Sequence, residues 1–290
     1  MGLENALSEI TLVLFTSLAP SGAIAVAIIA LVLIFGQIGG ENRARLDTFL
    51  CVPLVIAMVG LIASATHLGN PANALYVFMG VGRSPLSNEV FSAVVFLGLT
   101  GVYWLYSFSL KPHRALQKTW LCAVAASAVA FVVFVGQAYS AETIITWNTI
   151  YGPLGIALTS LLGGPLLAIV TLRLALRASS MGEGLGVALA SVSAVALICS
   201  TGCFIAQGLG VLGMGNHIAF VRELVPCYWP MVAAYAALGA VGVGVFFGEE
   251  VGKINYRLSV SAASLACVFA GVFVMRFAFY TMHMTVGVAV

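Results

Sequence analysis

Few side chains in this 290-residue chain are placed to do chemistry on a ligand inside an apolar environment. His67 closes one apolar run, in Ala65-Thr66-His67-Leu68-Gly69-Asn70-Pro71, and Glu89 opens the next, in Leu86-Ser87-Asn88-Glu89. An imidazole and a carboxylate beside an apolar pocket make good proton acceptors, because burial moves both toward neutral pH. Antiparallel packing of the two runs would bring them together across the loop. Arg276 lies inside the last apolar run, about a turn from Tyr280 and two turns from His283. Each group also has a plainer role. Glu89 follows Leu86 and Ser87, plausible caps, and an acid in a first turn complements the helix dipole. His67 can bond the last carbonyls of its helix, and Arg276 can snorkel to the interface. Position alone leaves both roles open.

The same inventory argues against a metal centre. Cys51, Cys122, Cys199, Cys203, Cys227 and Cys267 form no C-x-x-C pair. Cys199 and Cys203 share a helix face, but two thiols do not hold a cluster that needs about four ligands. A membrane haem bound by two histidines needs imidazoles facing each other from helix interiors. His113 and His217 fall in loops, and His67 and His283 at helix ends. The sequence therefore predicts no haem, no iron–sulfur cluster and no metal site in this chain.

The elements that must position these residues follow from composition. Charged residues make up 8% of the chain against about 25% in soluble proteins. Hydrophobic residues make up 61%, and the mean hydropathy is +1.09. No single soluble core hides that much apolar surface, whereas a bilayer does, with roughly 20 apolar residues per spanning helix. Eight runs qualify, at about 10–36, 46–67, 87–110, 117–139, 150–176, 185–208, 229–248 and 257–281. The prediction is an all-α integral membrane protein of eight transmembrane helices, with residues 1–290 as one helical domain and no soluble domain. The first run is too long for a signal peptide and has no preceding Lys or Arg. Pro20 should bend it. Gly152-Pro153 and Gly163-Gly164-Pro165 should break the fifth helix. Gly244 and Gly248 have small-xxx-small spacing suited to helix packing. The slight net charge of +2 suggests no nucleic-acid partner.

Charge sets the orientation. Arg43, Arg45, Lys111, Arg114, Lys118, Arg173, Arg177, Lys253 and Arg257 all fall in loops on one side, and only Arg83 and Arg222 in those on the other. Basic loops stay cytoplasmic, so both termini and the second, fourth and sixth loops should face outward. Trp147, Tyr151, Tyr228 and Trp229 gather at that outer boundary, as an aromatic belt does.

Two longer patterns resemble a known family. One is His67-Leu68-Gly69-x-Pro71 with Ala74 and Val81-Gly82-x-Ser84-x-Leu86-Ser87-Asn88-Glu89. The other is Arg276-x-x-Phe279-Tyr280-x-x-His283-Met284-Thr285-Val286-Gly287-x-Ala289-Val290. With Gly163-Gly164-Pro165-Leu166-Leu167, they resemble DmsC, the membrane-anchor subunit of bacterial dimethyl sulfoxide reductase, and more broadly the polysulfide-reductase-like membrane subunits. The resemblance implies a haem-free, eight-helix anchor in the bacterial inner membrane, serving anaerobic respiration. Such an anchor oxidises menaquinol and passes electrons to an iron–sulfur subunit, which feeds a molybdenum-cofactor catalytic subunit. It does no chemistry on the terminal acceptor. The resemblance places the family's quinol-site His and Glu on His67 and Glu89, as proton acceptors. Gly69, Ser87, Asn88, Arg276, Tyr280 and His283 are the further quinol-binding candidates, the last three in a motif without an assigned role. The outer loops, about 68–86, 140–149 and 209–228, would dock the iron–sulfur subunit. Two rivals are an anchor serving another acceptor, such as polysulfide or tetrathionate, and a secondary transporter. A transporter wants paired broken helices in two repeats, and the fifth helix has no evident counterpart.

The orientation is open to test. A reporter enzyme that works only in the periplasm, fused after Val290, is expected to be active. Activity there of a reporter that works only in the cytoplasm overturns the assignment.

Overall fold

The computed structural model describes residues 2–36, 38–67, 71–110, 112–176, 184–216 and 219–285, with the backbone alone for 71–74. Among them, eight helical segments are long and apolar enough to cross a membrane. Helix α1 (Gly2–Ser8) is a short lead-in to α2 (Ile10–Phe35). Helices α3 (Gly40–Phe49) and α4 (Cys51–Thr66) join through Leu50 into one span. A 3₁₀ segment (Pro71–Gly80) leads to α5 (Pro85–Ser107). Then come α6 (Arg114–Ala138), α7 (Tyr151–Ala175), α8 (Leu185–Val211), the short α9 (Val221–Leu224), α10 (Tyr228–Glu250) and α11 (Leu258–Thr281). No strand occurs among the described residues, only the isolated bridges Ile144–Thr285 and Gly215–Phe220. With eight spans, the N- and C-termini lie at the same end of the bundle, the terminal end. The opposite end is the basic end.

Helices α2 and α7 are the most buried spans and form the centre. The predicted break in α7 does not occur. The helix runs unbroken through Gly163-Gly164-Pro165, and the glycines serve close approach instead. A Cβ on Gly164 would stand 2.6 Å from Ile24 Cγ2, and one on Gly163 2.8 Å from Ser21 Oγ. Helix α4 packs on another face of α2 by the same device. A Cβ on Gly22 would meet the Pro53 carbonyl at 2.8 Å, and one on Gly60 the Ala19 nitrogen at 2.9 Å. Where lipid tails are as apolar as leucine, such close backbone contact drives helix association.

The α10 pair behaves differently from expectation. Nothing lies within 4 Å of a Cβ built on Gly244, and Gly248 meets only Ile254. The packing glycines of α10 are Gly239, against Leu197 of α8, and Gly242, against Val268 and the Ser264 carbonyl of α11. Gly244 and Gly248 instead line an open apolar groove of about 660 Å³ between α8 and α10.

The basic end is fastened by charge. Arg173 pairs with Glu249 and Glu250, and Ser261 donates to Glu249, which ties α7 to α10 and α11. The Arg173 guanidinium also lies 4.6 Å over the Tyr256 ring. Across the bundle, Tyr103 donates to Asp47 at 2.7 Å, and Arg43 donates to the Leu33 carbonyl at 2.6 Å.

These contacts separate two kinds of glycine. Gly164→Leu should destabilise the protein by about 1–3 kcal/mol or more, as overpacking does, whereas Gly244→Leu should stay near wild type. Thermal unfolding in detergent measures both, and equal Tm values overturn the α2–α7 assignment.

Candidate functional site

The terminal end gathers the sequence-predicted residues from three helices, α4, α5 and α11. Helix α5 starts earlier than expected, at Pro85, with Ser84 as N-cap accepting from the Ser87 N–H at 3.4 Å. Glu89 is therefore the fifth helical residue, and no acid stands in the first turn. The dipole effect fades beyond that turn, so capping does not account for Glu89. Its side chain points inward and is only 5% exposed. The phenols of Tyr139, just after α6, and Tyr280, near the end of α11, lie within the field of its carboxylate. Among the described residues, no hydrogen bond or ion pair reaches its carboxylate.

Ser87 and Asn88 have local partners. Ser87 packs on Gly80, where a Cβ would clash with its hydroxyl, and Asn88 accepts the Gly82 N–H at 2.7 Å. Gly82 has φ +83°, a conformation that glycine adopts without strain. These contacts close the turn from the 3₁₀ segment into α5 and so set the direction of Glu89. Gly69 lies outside the described residues.

His67 caps the C-terminus of α4, and its ring pairs with a residue that the sequence alone does not single out. His67 Nε2 lies 3.1 Å from Glu9 Oε2, with the two side chains 41% and 32% exposed. Glu9 is the N-cap residue of α2. No hydrogen bond or ion pair among the described residues joins His67 to Glu89. Glu9 also acts on His283, whose pKa is pushed down by burial and partly restored by the Glu9 carboxylate.

The C-terminus of α11 is held by the 140–149 loop. The Ile145 N–H donates to Met284 O at 3.1 Å, Thr146 Oγ1 to Met282 O at 2.7 Å, and Trp147 Nε1 to Phe279 O at 3.2 Å. Carbonyls that a helix end leaves open are thus satisfied, and an aromatic block forms. Trp147 stacks on Phe279 at 4.8 Å and meets His283 edge-on at 5.2 Å. Tyr139 and Tyr280 cross at 5.8 Å. Trp147 and Tyr228 therefore turn inward rather than forming an interfacial belt, and Tyr228 is buried. Trp229 does face outward, 44% exposed.

Arg276 does not snorkel. It is 2% exposed, against Gly155 of α7 and Phe204 of α8, with Tyr139, Tyr235, Tyr280 and Cys203 as its polar surroundings. Its Nε and Nη2 and the Tyr280 hydroxyl have no hydrogen-bond partner among the described residues. A buried polar group left unsatisfied costs about 1–3 kcal/mol, more when charged. Three such atoms on two neighbouring side chains of α11, with the carboxylate of Glu89 buried at the same end, are open to a polar ligand. No group of three or more His, Cys, Asp or Glu side chains among the described residues is arranged to hold a metal ion. Arg43, Asp47 and Glu249 at the basic end are also buried, and sequence reasoning singles out none of them as a site residue.

The comparisons with known proteins agree with the architecture. Residues 3–282 match the family model of the DMSO reductase anchor subunit (DmsC). The sequence is 31% identical to the C subunit of the anaerobic dimethyl sulfoxide reductase of Escherichia coli over 283 residues, 97% of each protein. It is also 31% identical to the YnfH subunit of an anaerobic dimethyl sulfoxide reductase of the same organism over 288 residues, 99% of each protein. To the corresponding C subunit of Haemophilus influenzae it is 29% identical over 290 residues, again 99% of each. The protein is a multi-pass bacterial membrane protein, and it belongs to the DMSO reductase anchor subunit (DmsC) family.

Proposed function

We propose that this protein is the menaquinol-oxidising anchor of a dimethyl sulfoxide reductase-type complex in the bacterial inner membrane. The observation that carries the proposal is the set of buried, unpartnered polar groups at the terminal end, Glu89, Tyr280 and Arg276. They border an aromatic block that suits a flat ring. A quinol offers two hydroxyls, one for each end of such a site. One hydroxyl bonds to Glu89 and the other to His67. Ser87 and Asn88 act by fixing the start of α5. Tyr280, His283 and Arg276 complete the polar wall.

Oxidation of the quinol to the quinone gives up two electrons and two protons. The protons go to Glu89 and His67 and leave at the terminal end. The electrons go to an iron–sulfur subunit docked on that end, which passes them to a molybdenum-cofactor subunit. General-base help of this kind is worth about 10²–10⁴-fold in rate. Glu89→Gln keeps the shape but takes no proton, so menaquinol-dependent turnover should fall by about that factor. Dye-driven activity of the soluble subunits in the same membranes should persist. Normal menaquinol turnover in Glu89→Gln removes the carboxylate from the mechanism.

The docking surface has its own support. The 3₁₀ segment exposes Leu75 (78%), Tyr76 (67%) and Met79 (77%) beside the site. A patch of that kind marks an interaction surface, and its low charge suits a stable interface. Leu75→Asp with Met79→Asp should release the soluble subunits from the membrane into the wash. Crosslinks from the partner to Arg45 or Lys118, at the basic end, would refute this side of docking.

A further inference from the structure

We infer that Glu9 is the positioning residue of His67: its carboxylate fixes the imidazole with Nε2–H toward itself, leaving Nδ1 to take a quinol proton. The inference rests on the proposed quinol chemistry and adds a third group to it. The contact is Glu9 Oε2 to His67 Nε2, 3.1 Å. That oxygen is buried at the atomic level and takes part in no hydrogen bond among the described residues, so the contact is one of charge at short range. A neutral imidazole carries one N–H, and the field of a carboxylate beside Nε2 favours the proton on that nitrogen. The other nitrogen is then the proton acceptor, an arrangement in which a base is oriented by a third group.

The fold makes the contact a built one. Helix α1 packs against the ends of α9 and α11, where a Cβ on Gly2 would clash with the Leu224 carbonyl and meet that of Thr281 at 3.0 Å. The polypeptide then passes through Glu9, whose carbonyl accepts the Leu12 and Val13 N–H groups at 2.9 and 3.0 Å. The side chain of Glu9 makes no capping bond to its own helix. It turns to α4 instead, so the carboxylate serves His67 rather than α2. His283, in edge-on contact with Trp147, lies within the field of the same carboxylate.

The chemical consequence is charge compensation. When the quinol hydroxyl gives its proton to Nδ1, His67 becomes an imidazolium already paired with Glu9. The two electrons of each quinol pass to the iron–sulfur subunit, and the proton leaves from His67 to water at the terminal end, which both half-exposed side chains reach.

The test uses the assembled membrane complex. Rates are expressed per dye-driven turnover of the same membranes, so a smaller amount of complex is not read as slower quinol oxidation. Glu9→Gln keeps size and hydrogen bonding but loses the charge. It is expected to lower kcat for menaquinol by tenfold or more with KM within about twofold, and Glu9→Asp to recover most of the rate. A structural tie alone predicts wild-type kcat for Glu9→Gln. His67→Gln is the parallel arm. If it abolishes quinol turnover while Glu9→Gln retains it, the role of Glu9 is overturned and the quinol site stands. If His67→Gln retains turnover, the reading of His67 fails, and that of Glu9 with it. Adding Glu9→Gln to His67→Gln should cost nothing further, and a full additional loss would place Glu9 elsewhere in the mechanism.

Discussion

Gly163 and Gly164 let α7 lie so close to α2 that no side chain fits between them, and the rest of the bundle is arranged around that contact. Lipid offers no hydrophobic drive for helices to associate, so closeness of backbones has to supply it. Once α2 is fixed against α7, Gly22 and Gly60 seat α4 on α2. The N-terminus of α2 and the C-terminus of α4 then meet at one end. That meeting is what places Glu9 beside His67, although two membrane crossings separate them along the sequence. The geometry of the site is a consequence of helix packing far below it.

The two ends of the bundle treat buried charge differently. At the basic end, Arg173 has both carboxylates of Glu249 and Glu250, and Ser261 completes the set. Removing one member of such a pair strands the other, which costs about 3–5 kcal/mol, so that cluster acts as a fastening. At the terminal end, Glu89 and Arg276 are as deeply buried, yet among the described residues neither has a hydrogen-bond partner. The backbone there is well satisfied, since the 140–149 loop covers the last carbonyls of α11. The unsatisfied groups are therefore confined to side chains aimed at one place.

Most of the fold is legible in the sequence because hydrophobic runs of membrane length leave little choice. The span ends agree with the runs to within a few residues, except where α3 extends the second span back to Gly40. The inferences from Gly and Pro fail, as does that of an aromatic belt at Trp147 and Tyr228. Gly163-Gly164-Pro165 reads as a break in an isolated helix, but α7 packs closely on α2 there and runs on. Gly244 and Gly248 read as a packing motif, but spacing does not say which face meets a neighbour. His67 and Glu89 stand out because each is ionisable at the edge of an apolar run. Glu9 meets the same criterion, but its partner is remote in sequence and no short motif joins the two. The signal available is its place one residue before α2, the same kind of boundary that marks Glu89.

The separation of Glu89 from Arg276 bears on how such a site could work. A direct ion pair between them would engage both carboxylate oxygens with guanidinium N–H groups, in the forked geometry that arginine favours. No lone pair would then be left in place for a ligand hydroxyl. Instead, Tyr139 and Tyr280 lie within the field of both charges. The arginine packs against Gly155 of α7 rather than against the carboxylate. A Cβ at position 155 would stand 3.2 Å from Arg276 Nη2, so a larger side chain there would displace the guanidinium. The seat of the arginine thus depends on the absence of a Cβ on α7, as the packing of the bundle does.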